Sequence, residues 1–170
     1  MSTTHICWVR TPLGPYTLVE TDGALTEVRP APGMEPLMPP RTPGEPPSPW
    51  PVLQAAACQL EEYFAGQRTV FDLPLCPQGS AFRQAVWQAM ARVPYGQTAT
   101  YSQLAAAIGR PGAARAVGSA CHDNPLHILL PCHRVVGADG SLTGYAAGTD
   151  RKAFLLALER QHSAGDAAGK

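Results

Sequence analysis

The chain has 170 residues and no net charge, with 45% hydrophobic and 15% charged residues. That composition fits one large or two small globular domains and excludes a disordered chain. Charge balance argues against a non-specific polyanion binder, and no apolar run reaches the eighteen or so residues of a membrane span.

Met1 to His5 lacks the basic and apolar regions of a signal peptide, so a cytoplasmic protein is expected. Five cysteines, Cys7, Cys58, Cys76, Cys121 and Cys132, form no Cys-x-x-Cys pair, which suits free thiols in a reducing compartment. Three short strands open the chain: His5 to Arg10, Tyr16 to Thr21 and Ala24 to Arg29. Asp22-Gly23 between the last two is a strong hairpin signal, so a small antiparallel meander is expected. Pro30 to Pro51 holds ten of the eighteen prolines and reads as a long loop. A helix is predicted from Val52 to about Ala65, with Leu53, Ala57, Leu60 and Phe64 inward and Cys58 in the core. Val70 to Leu73 is a possible further strand, and Leu73 to Ser80 a linker. The expected organisation is an α/β N-terminal domain over 1–79 and a mainly α domain over 80–170.

The second domain begins with a helix whose apolar face is Phe82, Val86, Trp87 and Met90. Thr100 and Gln103 have the spacing of a capping box. A short helix, Tyr101 to Ile108, ends at Gly109, and a second runs from about Ala113 to His122, which makes a helix-turn-helix unit. Such a unit by itself is more often only packing than DNA binding. The second helix is made of small residues, among them Ala114, Ala116, Gly118 and Ala120, with one cation, Arg115. That composition suits close approach to a duplex; tight helix–helix packing would use it too. Residues 1–79 carry four Arg against eight Asp or Glu, a net of −4, and residues 80–170 carry +4. Nucleic acid would therefore meet the second half. A last helix, Asp150 to about Arg160, should turn Phe154, Leu155 and Leu158 inward, with a frayed tail from Ser163.

The densest chemistry is Leu130-Pro131-Cys132-His133-Arg134-Val135-Val136, read as a partly buried turn or short strand holding a thiol in a stiff frame. A neighbouring base or cation would raise its thiolate population near neutral pH. A buried cysteine that only packs is the plainer reading of Cys132.

Pro131-Cys132-His133-Arg134-Val135-Val136 resembles the active-site signature of the O6-alkylguanine-DNA alkyltransferases, the methylated-DNA–protein-cysteine methyltransferases. Pro94-Tyr95-Gly96-Gln97-Thr98 with Tyr101, Ala114-Arg115-Ala116-Val117-Gly118, Asn124-Pro125, Gly144-Tyr145 and Lys152 with Glu159 resemble further family positions, in family order. The resemblance implies direct, irreversible transfer of an alkyl group from guanine O6 in double-stranded DNA to Cys132, once per molecule and without a cofactor. It implies a monomer that binds the minor groove and flips the damaged base into a pocket, because the alkylated oxygen lies inside the duplex. Cys132 would be the acceptor, His133 would act on it through a water, and Glu159 would polarise His133. Asn124 would brace the turn and Tyr101 would give a proton or hydrogen bond to the leaving guanine. Arg115 would fill the vacated stack, with Ala114, Gly118 and Thr100 beside the DNA. Val135, Tyr145, Ala146, Ala147 and Lys152 would form the pocket. Ala146 and Ala147 depart from a hydroxyl and a glycine common in the family. Some members bind zinc, but Thr21 and Thr26 stand where two of those ligands would fall, so no metal is expected. Two rival readings are a non-catalytic module that recognises alkylated bases and a cysteine hydrolase using Cys132 and His133.

Overall fold

A computed structural model describes residues 1–35, 49–142 and 148–168, with the side chains of residues 164–168 left out. It separates into two compact units, Met1–Pro77 and Gln78–Lys170. In the first, β1 (Thr4–Thr11), β2 (Gly14–Thr21) and β3 (Ala24–Pro30) form an antiparallel sheet in the order β1-β2-β3. Asp22 and Gly23 both take positive φ, 52° and 87°, as the tight turn between β2 and β3 requires. Alternation decides the faces: Cys7, Val9, Tyr16, Leu18, Leu25 and Val28 are buried.

Helix α1 (Pro51–Phe64) starts with proline in its first turn, where the missing N–H costs nothing. Its buried face is Leu53, Ala56, Leu60 and Tyr63, one step round from the predicted one. Cys58 is exposed rather than packed in the core, because it falls on the opposite side of that stripe. No strand forms over Val70 to Leu73. The segment instead makes one parallel bridge, Leu25 to Leu75, with bonds from Leu25 N to Pro74 O and from Cys76 N to Leu25 O. Pro74 and Pro77 have no N–H with which to lengthen the ladder. The proline-rich stretch lies outside the described residues over 36–48.

The second unit is mainly helical. Helix α2 (Ala81–Ala91) is capped by the Ser80 hydroxyl, which accepts from Arg83 N, and it buries Val86, Trp87, Ala89 and Met90. Phe82 is only half-buried and lies beneath the Arg110 guanidinium. After the two-residue β4 (Ala99–Thr100), α3 (Tyr101–Ala107) opens on a full capping box: Gln103 N donates to Thr100 Oγ1, and Thr100 N to Gln103 Oε1. Helix α4 (Ala114–His122) packs against both, and the Trp87 indole donates to Ala120 O at 2.9 Å. The final helix, α5 (Thr149–Ala168), is longer than predicted and runs through the segment expected to fray. Its inward residues are Lys152, Leu155, Leu156 and Glu159, while Phe154 is 40% exposed. Two charged side chains thus take inward positions that periodicity would give to apolar ones.

Candidate active site

The cysteine motif is a 3-10 turn, Cys132–Arg134, fully rather than partly buried, and runs straight into the short strand β5 (Val135–Val136). β5 pairs in parallel with β4, Ala99 with Val135 and Thr100 with Val136. Because β4 leads directly into the capped start of α3, this short ladder ties the helix-turn-helix to the cysteine turn.

Asn124 organises the approach. Its Nδ2 donates to Leu130 O at 2.8 Å and to Leu126 O at 3.4 Å, and its Oδ1 accepts from Leu126 N at 2.9 Å. The same Nδ2 lies 3.1 Å from Cys132 Sγ. Ile128, inside this loop, has φ of 74°, a costly conformation for a β-branched residue that the dense bonding around Asn124 overrides.

Cys132 is 4% exposed. Burial pushes its thiol up to about 11, against the opposing pull of the Asn124 hydrogen bond, the Lys152 charge and the N–H groups of Cys132 and His133. The direction runs against the thiolate enrichment that a neighbouring base or cation would give. Desolvation outweighs the nearby donors and cation.

His133 is fully buried, and its Nε2 lies 2.6 Å from Glu159 Oε2. Burial keeps the imidazole below its usual basicity, although the hydrogen bond and charge of Glu159 work the other way. Burial opposes ionisation of Glu159 as well, but His133 and Arg134 hold its carboxyl at about 2. Arg134 makes a fork onto that carboxylate, Nε to Oε1 at 2.8 Å and Nη2 to Oε2 at 3.1 Å, and gives Nη1 to Val93 O at 2.7 Å. With Nε2–H committed to a carboxylate, His133 Nδ1 is the ring atom left to accept a proton; it is buried and has no partner among the described residues.

Lys152, on the face of α5 that also carries Glu159, donates Nζ to Val135 O and lies 5.9 Å from the centre of the Tyr101 ring. The carbonyl of Val135, a residue expected to line the pocket, thus carries a lysine bond, with a second lone pair remaining. Burial lowers the Lys152 ammonium's basicity. The half-buried Tyr101 phenol is pushed up by burial and then by Cys121 and Cys132.

Four expected residues, Cys132, His133, Glu159 and Asn124, therefore meet around one turn, with Lys152, Val135 and Tyr101 beside them. Arg115 is exposed on α4, Ala114 and Gly118 are half-buried there, and Thr100 is the α3 cap. Tyr145, Ala146 and Ala147 lie outside the described residues. Thr21 and Thr26 hydrogen-bond to each other at 3.3 Å. Sequence reasoning missed Arg134 and Cys121. Arg134 had a signal: an arginine between apolar runs needs a carboxylate partner. Cys121 is a second buried thiol, pushed by burial to about 12.

Fold and site define a helix-turn-helix domain built around one buried, hydrogen-bonded cysteine. Residues 81–161 match the 6-O-methylguanine DNA methyltransferase DNA binding domain, and residues 8–77 match the ribonuclease-like domain of the same proteins. A methylated-DNA–protein-cysteine methyltransferase of Mycolicibacterium paratuberculosis is 47% identical over 155 residues, which cover 91% of this chain and 92% of the relative. The crystal structure of the Mycobacterium tuberculosis O6-methylguanine methyltransferase superposes with a TM-score of 0.80 at 42% identity, over 94% of each chain. The Mycobacterium tuberculosis protein OGT solved in complex with DNA gives 0.77 at 43% identity, over 91% of this chain and 92% of that one. The chain belongs to the methylated-DNA–protein-cysteine methyltransferase family.

Proposed function

We propose that this chain repairs DNA by moving an alkyl group, methyl above all, from guanine O6 to its own Cys132, irreversibly and once per molecule. The observation that carries this reading is the convergence of Asn124, His133 and Glu159 on one buried cysteine turn. The new bond joins Cys132 Sγ to the alkyl carbon as the carbon–O6 bond breaks. The thiol proton passes through a water to His133 Nδ1, and Glu159 stabilises the imidazolium that forms. Guanine leaves with a proton or hydrogen bond from Tyr101. A neutral thiol beside a neutral imidazole suits this order, since proton removal then accompanies attack.

The DNA partner is supported by the DNA-bound Mycobacterium tuberculosis relative. In our reading α4 enters the minor groove of the duplex with Arg115 in the flipped base's place, the protein acts as a monomer in the cytoplasm, and it uses no metal or cofactor. Free thiols among the described residues and the lack there of any helix long and apolar enough to cross a membrane are compatible with that setting.

Intact-mass measurement after incubation with an O6-methylguanine duplex tests the reading. Wild type should gain one methyl group, mapped to Cys132, and Cys132→Ala should gain none. An unmodified wild type that still binds the duplex would favour a module that recognises alkylated bases without reacting.

A further inference from the structure

We infer that Arg134 is a positioning residue for alkyl transfer: its guanidinium locks Glu159 so that His133 points Nε2–H at the carboxylate and offers Nδ1 as the proton acceptor. The inference rests on the reading that Cys132 is the alkyl acceptor and His133 takes its proton.

Both carboxylate oxygens of Glu159 are occupied. Oε1 accepts from Arg134 Nε at 2.8 Å and from Gly96 N at 3.2 Å; Oε2 accepts from Arg134 Nη2 at 3.1 Å and lies 2.6 Å from His133 Nε2. The guanidinium is held in turn, by Val93 O at 2.7 Å and by the Tyr95 ring 5.7 Å away. A carboxylate with donors on both oxygens remains an acceptor, so the imidazole must donate to it. That choice frees Nδ1, the buried ring nitrogen without a partner among the described residues.

Charge leads to the same place. Burial acts on His133 most, followed by Glu159 from α5, Arg134 from its own turn and Lys152 from α5, with the Gly96 N–H acting through Glu159. Only Glu159 favours an imidazolium, and Arg134 neutralises Glu159 at contact distance. Without Arg134 the unshared carboxylate would raise His133 against the burial that lowers it, and a protonated imidazole cannot take the thiol proton. Lysine would keep the charge but lose the fork and the added bond to Val93 O.

Methyl-transfer rate on an O6-methylguanine duplex, followed from about pH 5 to pH 9, separates charge from fork. In Arg134→Met the acid limb should move up by about one pH unit, so that transfer on that limb falls about tenfold and recovers as pH rises. In Arg134→Lys the limb should stay where wild type has it, while the plateau falls. In a Glu159→Gln background, Arg134→Met should add little further loss. An acid limb unmoved in Arg134→Met, with one uniform loss at every pH, would overturn the inference. Should Arg134→Met fail to fold, Arg134→Lys decides alone, and a full wild-type plateau there overturns it. Mapping the methyl group in wild type keeps the two ideas apart. No methyl on Cys132 sinks the underlying reading; methyl on Cys132 with an unmoved limb sinks only the role of Arg134.

Discussion

One asparagine serves both the shape of the active-site loop and the chemistry of its sulfur. Asn124, itself fully buried, satisfies Leu126 N, Leu130 O and Cys132 Sγ. Asn124→Ala should cost about 1–3 kcal/mol of stability, because buried backbone groups lose their partner. It should also slow transfer, since the donor that most strongly opposes the burial of the Cys132 thiol is gone. Urea unfolding and single-turnover rates check the two halves separately. Glu159 gives a pH signature. Its carboxyl sits at about 2 against an unfolded value of 4.5, so its stabilisation is complete above pH 4.5 and is lost as pH falls toward 2. That gap corresponds to on the order of 3 kcal/mol. The lowered His133 adds a loss of the same sign that begins below its ordinary value of 6.5. Glu159→Gln should be less stable than wild type at pH 7, and the difference should shrink between pH 4.5 and 2. Stability curves that stay parallel over that range would remove Glu159 as the source.

At the scale of elements, the helix-turn-helix is tied to the cysteine by β4 and β5, each two residues long. Gly118 in α4 tests what that helix is for. A methyl group added there would meet the Tyr101 ring at 3.7 Å, an ordinary contact. Gly118→Ala should therefore stabilise the fold, by up to about 1 kcal/mol. If the helix backbone lies close to a duplex, the same variant should react more slowly with O6-methylguanine DNA while keeping its rate with the free base O6-benzylguanine. Thermal unfolding and the two rates measure this, and equal rates on DNA would return Gly118 to packing alone. The capping box of α3 and the turn at Asp22-Gly23 were legible in sequence because their chemistry is local. The inward face of α5 was not. Phe154 looks like a core residue by spacing, yet Lys152 and Glu159 are the buried ones, held by partners on the cysteine turn.

For the whole molecule, DNA binding and alkyl transfer should separate by mutation. Cys132→Ala should abolish transfer and leave duplex affinity intact, because the thiol forms the bond and the helices form the complex. Arg115 is exposed on α4, in the half of the chain whose net charge is +4. Arg115→Ala should slow repair of duplex DNA far more than reaction with free O6-benzylguanine, which needs no flipping. Equal losses on both substrates would make Arg115 structural.

The amino-acid sequence by itself determined the three-stranded meander of the first unit, the helix-turn-helix, the cysteine motif and the family. Each of these is written in short-range order: alternation, capping pairs, turn dipeptides and one contiguous motif. Tertiary structure alone decided the state of that cysteine and the partners of its neighbours. Arg134 meets Glu159 across 25 positions and Val93 across 41. Burial pushes the Cys132 thiol up against the adjacent donors and charge, and burial is a property of the packed chain rather than of the hexapeptide.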